Sequence, residues 1–94
     1  MANKKLIELA KLRIRKKHAD ALDEDVSQLA DFAIADLKRI GVSESHLSDI
    51  TDPILREAVI TYVNANYGEN PERERLMSCY NMLLVKVKGG KYFE

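Results

Sequence analysis

The chain holds one cysteine, two prolines and four glycines in 94 residues, and its charges sum to zero. Each scarcity excludes something. Cys79 stands alone, so no disulfide can form within the chain, which fits synthesis in a reducing cytoplasm. Zero net charge argues against a general nucleic-acid or membrane binder, because counterion release needs a clustered positive surface. No apolar run approaches the roughly 20 residues that span a bilayer. The opening "MANKKLIELAKLRIRKKH" lacks a small-residue cleavage site after its apolar segment, so it reads as structure and not as a signal peptide. Nothing alternates with period two for long enough to make a sheet; "LLVKVKG" comes closest and closes a helical pattern. A Gly-rich phosphate loop, a His-Glu-x-x-His pair and a cysteine pair are all missing. These absences lead us to expect no catalytic residues, no metal and no cofactor.

What is present points to an all-α chain. Hydrophobic residues make up 46% and charged residues 32%, enough for one helical domain, 1–94, with a single modest core. The periodicity predicts four helices, over about 4–17, 22–40, 53–67 and 71–88, the last two folded as an antiparallel hairpin. Asn3 is the candidate cap of the first, whose apolar stripe of Leu6, Leu9, Ala10 and Ile14 is broadened by Ile7 and Leu12. Aspartates open the second. Leu22, Val26, Leu29, Ala33, Leu37 and Ile40 follow the spacing of a buried face, Ala30, Phe32 and Ile34 widen it, and Gly41 stops it. In the linker "VSESHLSDIT", Ser43 can cap a short turn that docks Leu47 and Ile50, and His46 reads as a solvated loop histidine. Thr51-Asp52-Pro53 starts the third helix with a capping residue before a proline at its first position. Ile54, Leu55, Ala58, Val59, Tyr62 and Val63 form that helix's apolar face. Gly68 ends it, and Asn70-Pro71 starts the fourth. There, Leu76, Tyr80, Leu83, Leu84 and Val87 form a stripe with Met77 and Cys79 beside it, and Gly89-Gly90 closes it.

The segment "NANYGENPERERLMSCY" concentrates polar and aromatic side chains, yet it reads as a joint between helices. Cys79 falls mid-helix beside the apolar stripe, where a small packed residue is expected and not a nucleophile. Tyr62, Tyr67 and Tyr80 are placed to form an aromatic cluster. Arg73 and Arg75, interleaved with Glu72 and Glu74, make a charged rim at the tip.

Charge is balanced overall but not locally. Lys4, Lys5, Lys11, Arg13, Arg15, Lys16 and Lys17 stand against Glu8 alone in residues 1–18. Asp20, Asp23, Glu24, Asp25, Asp31 and Asp36 follow with no Lys or Arg among them. Three readings fit: neighbouring helices with complementary faces, a plus and a minus face for head-to-tail packing of subunits, or contact of the basic block with DNA. The last is the alternative function, a small helical nucleic-acid-binding or regulatory protein using the first helix.

Three segments together resemble the phage head–tail connector family, the portal adaptor or head-completion proteins of tailed phages. They are "DEDVSQLADFAIADLKRIGV", "DPILREAVITYVNANYGEN" and "RERLMSCYNMLLVKVKGGKY". The resemblance implies a structural virion protein of a phage or prophage, made in the bacterial cytoplasm and located at the head–tail junction. It implies a ring of about a dozen copies on the portal protein after DNA packaging, whether or not the free chain is a monomer. Such a ring extends the DNA channel without sequence-specific binding and offers a face to a stopper or tail-completion protein. By the same resemblance Lys88, Lys91, Tyr92 and Phe93 become candidates for portal contact. Apolar residues spread beyond one stripe on the first two helices suit side chains buried only on assembly.

Overall fold

The computed structural model describes residues 3–15, 18, 20–48, 50–90 and 92. Among them every regular element is helical: α1 (Lys4–Ile14), α2 (Asp23–Arg39), α3 (Glu44–Leu47), α4 (Pro53–Asn66) and α5 (Arg73–Lys88). The short turn expected after Ser43 is the fifth helix, α3. It docks Leu47, and the segment after it docks Ile50; both are buried.

Local chemistry sets most of the boundaries. The Asn3 side chain accepts the Leu6 N–H at 2.8 Å and caps α1. Asp52 accepts from Ile54 N and Leu55 N at 2.9 and 3.2 Å, just ahead of Pro53, and caps α4. Gly41, at φ 110°, ends α2 in a Schellman motif: its N–H bonds the Lys38 carbonyl and Val42 N–H bonds the Leu37 carbonyl. Gly68 takes φ +62°, the left-handed conformation that turns the chain out of α4.

Two expectations about boundaries are corrected. The regular part of α1 ends at Ile14, because Arg15 N–H bonds Leu12 in a tighter i−3 turn. Lys16 and Lys17, expected inside that helix, lie outside the described residues. α5 begins at Arg73 and not at Pro71. The Asn70 side chain accepts the Glu72 N–H, the Asn70 carbonyl accepts the Arg73 N–H, and this closed turn precedes helical geometry.

α4 is the axis of the core and packs against α1, α2 and α5. Leu55, Ala58, Val59, Ile60, Val63 and Ala65 are buried around it, more than one face, as in a helix surrounded by others. α1 adds Leu6, Ala10 and Ile14, and α2 adds Val26, Ala30, Ala33, Ile34 and Leu37. α5 fully buries only Tyr80 and Val87. The Tyr80 hydroxyl donates to Asp36 on α2 at 2.9 Å, and its ring lies 5.1 Å from that of Tyr62. Burial, and then Asp36, push the Tyr80 hydroxyl pKa well up. Tyr67 does not join these rings; it meets His18 edge-on at 4.9 Å.

Candidate subunit interface

The charged candidates sort by whether the chain already uses them. Lys11 reaches Asp23 across the α1–α2 contact at 2.6 Å. Arg13 grips Glu57 of α4 with both terminal nitrogens, at 2.8 and 3.0 Å, and Thr61 donates to the same carboxylate. The hydrogen bond from Arg13 holds the Glu57 carboxyl below its ordinary range, outweighing the opposing effect of its partial burial. Complementary charge between the basic and acidic blocks within one chain thus accounts for Lys11 and Asp23, whereas Arg13 pairs with Glu57, outside the acidic block. Lys4, Lys5, Arg15, Asp20, Glu24 and Asp25 are exposed and make no ion pair among the described residues. Asp31 is half-buried on α2.

The charged tip between α4 and α5 is largely tied down. Arg73 donates to the Asn66 side chain at 3.0 Å, Asn66 donates to the Tyr62 carbonyl, and Asn70 donates to the Asn64 carbonyl. Arg75 pairs with Glu72 one turn away at 3.1 Å, both exposed. At the far end of α5, Lys88 is exposed. Tyr92 folds inward: its hydroxyl donates to Asp52 at 3.0 Å, its carbonyl accepts the Ser43 N–H, and its ring meets His46 edge-on at 5.5 Å. His46 is therefore packed against an aromatic ring and half-buried, not a solvated loop residue. A Cβ on Gly90 would fall 2.7 Å from the Tyr92 ring, so glycine makes room for this fold-back. Lys91 and Phe93 lie outside the described residues.

Besides His46 and Tyr67, two more side chains depart from the sequence expectation. Cys79 faces solvent, because the buried arc of α5 is narrow and centred on Tyr80. Leu22 is 62% exposed; it is the extended N-cap residue of α2 and so falls outside the helix's periodicity. The aspartates that follow do not cap α2; they fill its first turn, where the helix dipole favours them.

The surface feature that charge alone did not reveal is apolar. Leu12 on α1, Phe32 on α2, and Met82 and Val85 on α5 are each more than half exposed, on three different helices. Leu12 lies in a shallow, open depression of about 380 Å³ with Glu8, Lys11, Arg15 and His18. Phe32 lies in a similarly open one of about 420 Å³ with Gln28, Asp31 and Ala35. The signal for Leu12 and Phe32 was present in the sequence, as apolar positions beyond one stripe. Among the described residues no group of three or more His, Cys, Asp or Glu could hold a metal ion, and no helix is long and apolar enough to cross a membrane. No protein-family model matches the chain, nor does a curated protein or a solved structure.

Proposed function

We propose that the chain is an adaptor subunit of a tailed-phage or prophage head–tail junction, with a structural and not a catalytic role. Copies would form a ring on the portal protein, extend the DNA channel and present a face to a stopper or tail-completion protein. The observation that carries this reading is the set of large apolar side chains left in solvent on α1, α2 and α5. A subunit covered on several sides by neighbours would bury such residues on assembly. Leftover cations on α1 and leftover acids on α2 add complementary charge to the same two helices.

Within the subunit we read α4 and α5 as an antiparallel hairpin. Its support is that positions late in α4 meet positions early in α5: Asn66 contacts Arg73 and Met77, while Tyr62 meets Tyr80. The nucleic-acid alternative has less support, because Lys11 and Arg13 of the basic block are already held by Asp23 and Glu57.

Co-sedimentation with the portal protein of the same phage or prophage tests the reading. The expected result is saturable binding of the chain to assembled portal rings at micromolar concentration. No binding to intact rings, together with tight and steeply salt-dependent binding to duplex DNA, would overturn it in favour of the alternative.

A further inference from the structure

We infer that Tyr92 is a latch on α3, and that the two open and close together as one unit while the core around α4 stays shut. The inference is independent of the adaptor reading. It starts from how little else holds α3. That helix is four residues long, far short of what is stable by itself. Its N-cap residue, Ser43, makes no side-chain cap bond; the Ser43 hydroxyl pairs with that of Ser45 at 2.9 Å. The Lys38–Glu44 ion pair that ties α3 to α2 is exposed, and such pairs contribute little. Leu47 is its buried side chain.

Tyr92 supplies three further contacts from a single residue. Its carbonyl accepts the Ser43 N–H at 2.8 Å, where α3 begins. Among the described residues that is the one backbone hydrogen bond between positions far apart in sequence. Its ring meets His46 of α3 edge-on at 5.5 Å. Its hydroxyl donates at 3.0 Å to Asp52 Oδ1, the same oxygen that accepts the Ile54 and Leu55 N–H groups and caps α4. Asp52 keeps that cap when the tyrosine leaves. Ser43 and Tyr92 are only half-buried, so water can take over the bonds they lose. Few buried contacts and hydrogen bonds within reach of water mark a segment that opens well below the free energy of global unfolding. Because the three contacts sit on one residue, they break together. The closed position also sets a condition on Gly90, where a Cβ would fall 2.7 Å from the Tyr92 ring.

Native-state hydrogen exchange on the purified full chain, followed amide by amide by NMR, tests this, with circular dichroism confirming that each variant is folded. The reporters are the Ser43, His46 and Ser48 amides, which bond the carbonyls of Tyr92, Ser43 and Glu44. In wild type the three are expected to share one protection factor and a shallow denaturant dependence, while Val59 and Val63, buried on α4, exchange far more slowly and with the steep dependence of global unfolding. Tyr92→Ala is expected to lower the protection of all three reporters by about tenfold or more, toward that of unfolded peptide, with Val59 and Val63 still protected. Gly90→Ala, which lies in neither α3 nor the α4 cap, is expected to do the same by displacing the ring. Reporters that exchange in wild type only with Val59 and Val63 overturn the inference. So does either folded variant that leaves the reporters as they are in wild type, or a loss confined to Ser43 while His46 and Ser48 keep their protection.

Discussion

The C-terminal pair of helices and the N-terminal pair are held together by different chemistry. α4 and α5 are joined by directional contacts: the Tyr62–Tyr80 ring pair, the Asn66 amide on Met77, Arg73 on Asn66, and the turn that Asn70 closes. α1 and α2 meet through small and branched apolar side chains and, among the described residues, the Lys11–Asp23 ion pair. The first pair ties Asn66, Asn70 and Arg73 into its own joint and leaves Met82, Val85, Lys86 and Lys88 of α5 in water. The second leaves cations on one helix, acids on the other, and Leu12 and Phe32 in water. The C-terminal pair is thus fixed by directional contacts at its joint and the N-terminal pair chiefly by apolar packing.

The sharpest way to break that contrast is to damage the C-terminal pair. Leu55 is fully buried on α4, and Leu55→Ala is expected to cost about 2–5 kcal/mol in denaturant unfolding, as cavities in cores do. A loss below about 1 kcal/mol would mean that the α4 axis is loosely packed. Next in size is the joint. Gly68→Val forces a β-branched residue into φ +62° with its Cβ 3.0 Å from the His18 ring, and is expected to cost about 1–2 kcal/mol or more. A neutral result would show that α4 ends differently.

The cap and the fold-back come third. Asp52 serves both α4 and Tyr92, so Asp52→Ala is expected to cost about 1 kcal/mol and to raise the proteolytic sensitivity of the C-terminal tail. Asp52→Asn keeps the acceptor and is expected to recover most of that stability.

The smallest effect is electrostatic. Glu57 has a folded pKa below its ordinary 4.5, chiefly through the hydrogen bond from Arg13. Its contribution is therefore full above the unfolded value and is lost as pH falls through the folded one. The pair is partly exposed, so the contribution is about 0.5–1 kcal/mol. Glu57→Gln is expected to flatten the acid limb of the stability profile below about pH 4.5 while leaving neutral-pH stability within about 1 kcal/mol. An unchanged acid limb would leave the Arg13 contact without energetic weight.

What the sequence disclosed follows the range over which each interaction acts. Asn3, Gly41, Asp52-Pro53 and Gly68 signal their roles through neighbours three or four residues away, and those roles were readable. The start of α5 was misplaced by two residues because Asn70 closes a turn first, a choice between two local hydrogen-bonding patterns that the residue types alone permit equally. The exposure of Cys79 and Leu22 was not readable, since which arc of a helix is covered depends on what lies across from it. The candidate surface divides the same way. Its charges and its extra apolar positions were visible, but that Arg13 belongs to Glu57, 44 positions away, and that Tyr92 turns back onto Asp52 needed the fold.

The proposed role is to join a phage head to its tail. The decisive experiment is to delete the gene from the phage or prophage and image the particles after induction. Heads that retain DNA poorly and carry no tail are expected, with both defects repaired when the chain is supplied in trans. Tailed, DNA-filled particles from the deletion strain would rule the role out.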